Sequence, residues 1–227
     1  MGFNNQGVNY LTEQVARRRY SGILGINIGK NFDTPVENAL GDYLIGMRKV
    51  YTHADYITVN ISSPNTPGLR NLQYGDSLKE LLSGLKEEQG KLASQQGRYP
   101  PLAVKIAPDM DEQACAAVAS VLLEYEMDAV VATNTTLSRD GVEGLAHAQE
   151  QGGLSGAPLT DRSTQIISQL CAELKGDIPI IAAGGIMDAA SAQAKLDAGA
   201  RLLQLYTGFI YSGPKLIRDI VNRIPAR

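Results

Sequence analysis

The chain has 227 residues, of which 44% are hydrophobic, and its formal net charge is −3. α/β barrels of this length form single domains, and so mild an acidity provides no basic face for binding nucleic acid. No apolar run approaches the roughly 20 residues needed to span a bilayer. The two cysteines, Cys115 and Cys171, have neither metal-binding nor redox spacing and are expected to be reduced packing residues.

Six short apolar runs rich in β-branched residues predict strands along the chain. They cover residues 22–29, 56–63, 101–108, 128–136, 178–185 and 201–208. Their hydrophobicity is nearly continuous rather than alternating, which is typical of parallel strands covered on both faces. The sequence therefore predicts a parallel sheet.

Helical patterns separate these strands, and the clearest cover residues 77–93, 111–126, 191–200 and 213–224. The first places its leucines on one face, and the second carries acids in its first turn, where the helix dipole favours them. Gly199 is a predicted helix C-cap, and Pro214 stands at a plausible first helical position. Alternating strands and helices with right-handed crossovers give an α/β fold.

Two α/β architectures fit this order: an open doubly wound sheet and a closed (β/α)₈ TIM barrel. An open sheet uses a few strand ends at one switch point, whereas a barrel gathers all its strand ends around one mouth. Polar or glycine residues end every predicted strand, which favours the barrel as a single domain over residues 1–227. Six strands are fewer than the barrel's eight, so we expect about six of eight βα units, with the first two strands missing.

Two small-residue turns follow the last two predicted strands. Gly184–Gly185 and Tyr206–Thr207–Gly208 offer free backbone N–H groups near helix starts, which suit a phosphate. The alternative is that the glycines merely permit tight turns. A further glycine-rich stretch at 151–159 is weak support by itself.

Single polar residues interrupt or end the other strands. Lys105 lies in an apolar strand, where its charge needs an anionic partner, an internal salt bridge or access to water. Asn27, Asn60 and Asn134 end strands with amides that donate and accept hydrogen bonds. One such asparagine usually serves a turn, but several around one mouth suggest recognition of a flat, polar heterocycle.

Common hydrolytic machinery is absent from the sequence. His53 precedes a strand and His147 lies in a long loop, so both are interpreted as surface residues. No GxSxG elbow, Walker loop or HExxH helix is present, and we expect no metal site.

The stretch NISSPNTPGLRNLQYG (60–75) resembles the active-site loop of class 2, quinone-linked dihydroorotate dehydrogenases. MGFNN, GINIGKN, AVKIAPD, ATNTT, GGLSGAPL, IIAAGGI and LYTGFIYSGP follow the same family in order along the chain. The resemblance implies an FMN-containing barrel that oxidises dihydroorotate to orotate in pyrimidine biosynthesis. Each short pattern is weak, but the ordered set is specific.

The family's site residues carry over position by position. Ser63 matches the catalytic base that takes a proton from C5 while hydride leaves C6 for the flavin; class 1 enzymes have cysteine there. Pro64 and Pro67 would stiffen its loop, and Thr66 is a candidate proton relay. The substrate-binding positions are Met1, Gly2, Phe3, Asn60, Asn65, Asn134 and Thr135. The FMN-binding positions are Asn27, Asn60, Lys105, Thr133, Gly156, Gly185, Tyr206 and Thr207.

The resemblance also implies partners. Class 2 members meet quinone and the membrane through an N-terminal helical extension, which we expect to be missing from this sequence together with the first two strands. The full-length protein would be peripheral, on the cytoplasmic face of the inner membrane. The sequence does not indicate an oligomeric state. A related FMN barrel with another acceptor or dihydropyrimidine, and an inactive barrel fragment, are the alternatives.

Overall fold

A computed structural model of the protein describes residues 4–224, in which six parallel strands form one sheet. The strands are β1 (Gly25–Ile28), β2 (Tyr56–Asn60), β3 (Leu102–Ile106), β4 (Ala129–Ala132), β5 (Ile180–Ala183) and β6 (Leu202–Gln204). Each predicted strand segment contains one of them, so the six strand predictions are confirmed. Three to five residues of each are paired, and polar loops follow at their carboxyl ends.

Helices precede the sheet and follow every strand. They are α1 (Val8–Ala16), α2 (Ala39–Val50), α3 (Gly75–Gln96), α4 (Glu112–Glu124), α5 (Thr160–Leu174), α6 (Ala189–Asp197), α7 (Thr207–Ser212) and α8 (Pro214–Arg223). Single 3₁₀ segments lie at Val36–Asn38, Leu69–Gln73 and Ala157–Leu159. The four predicted helices are confirmed as α3, α4, α6 and α8.

Local sequence explains where several helices begin and end. Asp111 caps α4 by accepting a 2.8 Å hydrogen bond from the Ala114 backbone N–H. Asp188 and Ser191 form a capping box at the start of α6. Pro214 is the first residue of α8, and Gly199 turns the chain with a φ of 110° just after α6. These features fix the loops that carry each helix back to the next strand.

Strand order distinguishes the two α/β architectures. The order in the sheet is β1-β2-β3-β4-β5-β6, and each neighbouring pair is parallel. A doubly wound sheet reverses its order at a switch point, whereas sequential order is that of a (β/α)₈ barrel. The fold is therefore a partial TIM barrel of six βα units. In the described part of the chain, β1 and β6 each pair with one strand only.

The two faces of the sheet carry different residues. Ile57, Val59 and Val104 point outward into the large core beneath the helices, and none of their surface is exposed. The inner face carries small residues, among them Ala103 and Ala183, which form a separate cluster. Burying each large aliphatic side chain is worth about 1.5–3 kcal/mol, so the outer face supplies most of the sheet's stability. The small inner residues leave room at the barrel mouth.

Candidate active site

A cavity of about 440 Å³ opens at the carboxyl ends of the strands. This volume lies within the range of small-molecule and cofactor sites. Most of the predicted site residues line it: Asn27, Ser63, Asn65, Lys105, Thr133, Asn134, Thr135, Gly156, Gly185, Tyr206 and Thr207. Residues at or after the ends of all six strands therefore surround one cavity.

Strand register explains why three of these polar side chains share a face. Asn60 pairs with Lys105 across β2 and β3, and Asn27 pairs with Thr58, two residues before Asn60. Residues in register point to the same side of a sheet, and the side alternates along each strand. Asn27, Asn60 and Lys105 therefore lie on the inner face, below the polar loops.

Asn60 lies beneath the cavity lining instead of forming part of it. Its side chain is buried, and its Oδ1 accepts hydrogen bonds from Asn134 Nδ2 at 3.2 Å and from the Ser62 backbone N–H at 3.3 Å. Ser62, to which the sequence pattern assigned no role, donates its hydroxyl hydrogen to the Lys105 carbonyl at 2.7 Å and accepts from Asn134 Nδ2 at 3.1 Å. Asn60 and Ser62 thus fix the orientation of Asn134, whose Oδ1 accepts the Thr135 backbone N–H at 2.8 Å.

Ser63 is 1% exposed and lines the cavity at the start of the loop after β2. Its Oγ accepts a 3.2 Å hydrogen bond from the Asn65 backbone N–H. A donor aimed at this oxygen favours its deprotonated form. Thr66 is half-buried, does not line the cavity, and shows no hydrogen bond to Ser63 in the described residues. The relay therefore stays a prediction, and Met1, Gly2 and Phe3 lie outside the described residues.

Lys105 presents a cation to the cavity without an internal counter-charge. It is half-buried, and no acceptor within residues 4–224 lies within hydrogen-bond distance of its Nζ. Burial lowers the pKa of Lys105, and no carboxylate opposes that shift. The salt-bridge alternative is therefore wrong for the described residues, and an anionic or electron-rich ligand would compensate this charge.

Gly184 and Gly185, directly after β5, also line the cavity, with φ of 100° and 68°. Both carbonyls turn toward α5: Ser163 Oγ lies 2.9 Å from the Gly184 oxygen, and Thr160 Oγ1 donates to the Gly185 oxygen at 2.8 Å. In a trans peptide the N–H points opposite to the carbonyl. The N–H groups of Gly185 and Ile186 therefore point away from α5, and neither has an acceptor in the described residues.

Arg70 ties together three of the loops around the cavity. Its guanidinium donates to the Ser62 carbonyl at 3.1 Å, to the Thr135 carbonyl at 2.8 Å and to the Asp109 carboxylate at 2.6 Å. These partners follow β2, β4 and β3 respectively. Asp109 in turn accepts from the Thr136 hydroxyl and the Leu137 N–H. Arg70 lies within the family-like stretch 60–75, but no sequence pattern predicted this role.

The long loop after β4 packs over the Ser63 segment. A Cβ on Gly153 would lie 1.7 Å from Thr135 Oγ1 and 3.0 Å from Pro64, so a side chain there would collide with Thr135 and fit tightly against Pro64. Ser155 Oγ accepts a 2.9 Å hydrogen bond from Thr207, which closes the loop onto α7. Ser155 and Gln204 line the cavity but were missed; Gln204 ends β6, where the strand-end rule would have found it.

Neither histidine contributes to this cavity. His147 contacts Glu150 in the loop after β4, and His53 lies in the turn before β2. Within residues 4–224, no group of three or more His, Cys, Asp or Glu side chains is placed to hold a metal. None of the helices in this part of the chain is long and apolar enough to cross a membrane.

Comparison with known sequences identifies a family. The sequence model described as dihydroorotate dehydrogenase matches residues 1–227. A curated relative from Ectopseudomonas mendocina, named dihydroorotate dehydrogenase (quinone), is 62% identical over 226 residues, covering 100% of this chain and 66% of the relative. A relative of the same name from Azotobacter vinelandii is 61% identical over 226 residues, covering 100% and 65%. The chain thus spans just under two thirds of these relatives.

Solved structures show the same architecture. The DHODH of Eimeria tenella in complex with ferulenol superposes with a TM-score of 0.88 at 37% identity, over 97% of this chain and 64% of that one. Its ligand-free form gives a TM-score of 0.88 at 36% identity, over 97% and 66%. These likenesses confirm the barrel prediction and the resemblance. The chain belongs to the dihydroorotate dehydrogenase family.

Proposed function

We propose that the protein oxidises dihydroorotate to orotate with bound FMN and passes the electrons to a quinone, as a step of pyrimidine biosynthesis. One observation carries the proposal: Ser63 and the uncompensated ammonium of Lys105 line the same cavity. A candidate base and a fixed cation suit a reaction in which a proton and a hydride leave neighbouring carbons. The names of the curated relatives support the substrate and the acceptor.

FMN suits the residues present in this cavity. Its phosphate needs N–H donors, which Gly185 and Ile186 offer without internal acceptors. Its ring has polar edges that the side chains of Asn27, Lys105 and Thr133 can meet on the inner face. When bound, FMN supplies the hydride acceptor and the route for electrons to quinone. The Lys105 cation would stabilise negative charge in the cavity without having to reorganise.

Ser63 would act as the general base at C5 of dihydroorotate. The Asn65 N–H at its Oγ stabilises the oxygen as it gains negative charge, and the near-complete burial of Ser63 keeps bulk water away. Such a base contributes about 10²–10⁴-fold to rate. The proton must then leave Ser63, and we propose the hydroxyl of Thr66, three residues further along the same loop, as its acceptor.

Substrate orientation would depend on amides and hydroxyls from two loops. Asn65, Asn134 and Thr135 line the cavity near Ser63, and Asn134 is held by Asn60 and Ser62. Holding the reacting atoms in register is a large part of enzymatic rate enhancement. The backbone of Met1–Gly2–Phe3 would add contacts from a loop outside the described residues.

We further propose that quinone reaches the flavin through an N-terminal helical extension that contacts the cytoplasmic face of the inner membrane. The names of the curated relatives include quinone, and those proteins are longer than this chain. This part of the proposal concerns the whole protein rather than residues 4–224.

Orotate formation with different acceptors tests the proposed function. FMN-loaded protein is supplied with dihydroorotate and either a soluble quinone, fumarate or NAD⁺, and orotate is measured by chromatography. We expect sustained formation with quinone only. Sustained turnover with fumarate or NAD⁺ would assign another acceptor, and no orotate with any acceptor would contradict the proposed reaction.

A further inference from the structure

Lys195, on α6, is a fully buried lysine with no carboxylate among its hydrogen-bond partners. Its Nζ donates to the Thr160 carbonyl, to Ser163 Oγ and to Thr164 Oγ1, each at 2.6 Å. These three neutral acceptors, all near the start of α5, use its three N–H groups. Burial lowers the pKa of Lys195 to about 8, so it remains mainly an ammonium at neutral pH.

The lysine determines which way the Ser163 hydroxyl can donate. Because Ser163 Oγ accepts from Lys195, its one hydrogen must go to a carbonyl; those of Leu159, Thr160 and Gly184 lie within 2.9, 3.1 and 2.9 Å. The Thr160 carbonyl also accepts from the ammonium, and that of Leu159, the N-cap of α5, accepts the first helical N–H. Of the three carbonyls, only that of Gly184 has no other donor in residues 4–224, so a hydroxyl that donates to Gly184 leaves none of them without a partner.

These hydrogen bonds determine which way the peptide groups of the glycine loop (residues 184–186) point. Ser163 holds the Gly184 carbonyl toward α5, and Thr160 Oγ1 does the same for the Gly185 carbonyl. The Gly185 and Ile186 N–H groups then point the other way, at the end of the cavity that these residues line. The ammonium of Lys195 is thus connected through the Ser163 hydroxyl to the loop whose N–H groups face the cavity.

We propose that Lys195 is a positioning residue for the phosphate end of the cofactor, fixing the glycine loop through Ser163 and adding positive potential behind it. The inference rests on the proposed function, because it takes FMN as the ligand of this cavity. Lys195 does not line the cavity and so acts through the loop. Replacing Lys195 should change only the affinity for the phosphate group. The residues proposed to contact the flavin ring lie in or directly after β1, β3 and β4, whereas the glycine loop follows β5.

Riboflavin, which is FMN without its phosphate, isolates that effect. FMN and riboflavin are titrated into the flavin-free full chain, unchanged and as Lys195→Met, with flavin fluorescence as the readout. We expect Lys195→Met to weaken the binding of FMN by about tenfold or more, which is the equivalent of one charge-assisted hydrogen bond. The affinity for riboflavin should stay nearly unchanged. Lys91→Met is the control, because that lysine is exposed on α3 and forms a surface salt bridge with Glu87.

A second variant protects the test against misfolding. Ser163→Ala keeps the lysine but breaks its link to Gly184, and should lower the ratio of FMN to riboflavin affinity by a smaller factor. The inference would be overturned if both variants lost the same factor of affinity for FMN as for riboflavin. It would also be overturned if neither variant lost affinity for FMN. An unchanged protein that binds FMN no more tightly than riboflavin would overturn it too. If the affinity ratio shifts as expected but dihydroorotate is not oxidised, the proposed function fails and the role of Lys195 stands.

Discussion

Replacing Arg70 with methionine should damage catalysis without removing any group that touches the substrate. The guanidinium joins the loops after β2, β3 and β4 through Ser62, Asp109 and Thr135. Methionine retains most of the aliphatic packing but none of these hydrogen bonds. The loop that carries Ser63 would then lose its anchor to the loop that carries Asn134.

The structure sets the size of both expected effects. The Arg70 and Asp109 side chains are 17% and 27% exposed, so water partly screens the pair. Leaving the partners of a charged group without it costs about 1–3 kcal/mol, and we expect the middle of that range because Asp109 keeps the Thr136 and Leu137 donors. A shift of about 1 Å in catalytic geometry costs roughly 10²-fold in rate.

The assay combines denaturant unfolding with single-turnover reduction of the flavin by dihydroorotate. Arg48→Met is the matched control, because Arg48 forms a two-bond ion pair with Glu88 between α2 and α3, and neither residue lines the cavity. We expect the control to lose stability but to keep its rate. An Arg70→Met rate within about threefold of the unchanged protein would refute the reasoning.

Two further predictions concern Lys105 and Lys195. Lys105→Met should weaken FMN binding and lower the flavin reduction potential, because an unpaired cation facing the cavity is removed; unchanged affinity and potential would contradict its role. Burial lowers the pKa of Lys195 from 10.5 to about 8, so between these values the unfolded chain binds more protons than the folded one. The free energy of unfolding should therefore rise with pH in that interval, relative to Lys195→Met, and parallel pH profiles would contradict this.

Much of the fold could be predicted because each strand combines two local signals. Outward isoleucine and valine, with small inner residues such as Ala103, make each strand look continuously hydrophobic, so the runs stand out. Polar residues at the strand ends then indicated the cavity, because parallel strands bring their carboxyl ends to one edge. The family resemblance added the roles of Ser63 and Asn65, which no local pattern assigns.

The supporting residues could not be predicted in the same way. Arg70, Ser62 and Lys195 act through contacts 31–72 positions apart in sequence or through neighbours that only the fold brings together. Asn60 illustrates this: its Oδ1 is engaged by Asn134, 74 positions away, which its strand-end position did not indicate, and its direct contact with a ligand stays a prediction. The role of a supporting residue depends on which loops the fold brings into contact. A single sequence carries no signal for those contacts.

The rate of flavin reduction in Ser63→Ala tests the central claim most directly. Under anaerobic conditions, dihydroorotate is mixed with the FMN-loaded unchanged protein and with the variant, and the loss of flavin absorbance is followed in a single turnover. We expect the unchanged protein to be reduced and the variant to be slower by about 10²–10⁴-fold, with FMN still bound, because only the base at C5 is removed. Reduction of Ser63→Ala at the rate of the unchanged protein, or no reduction of either, would contradict the account.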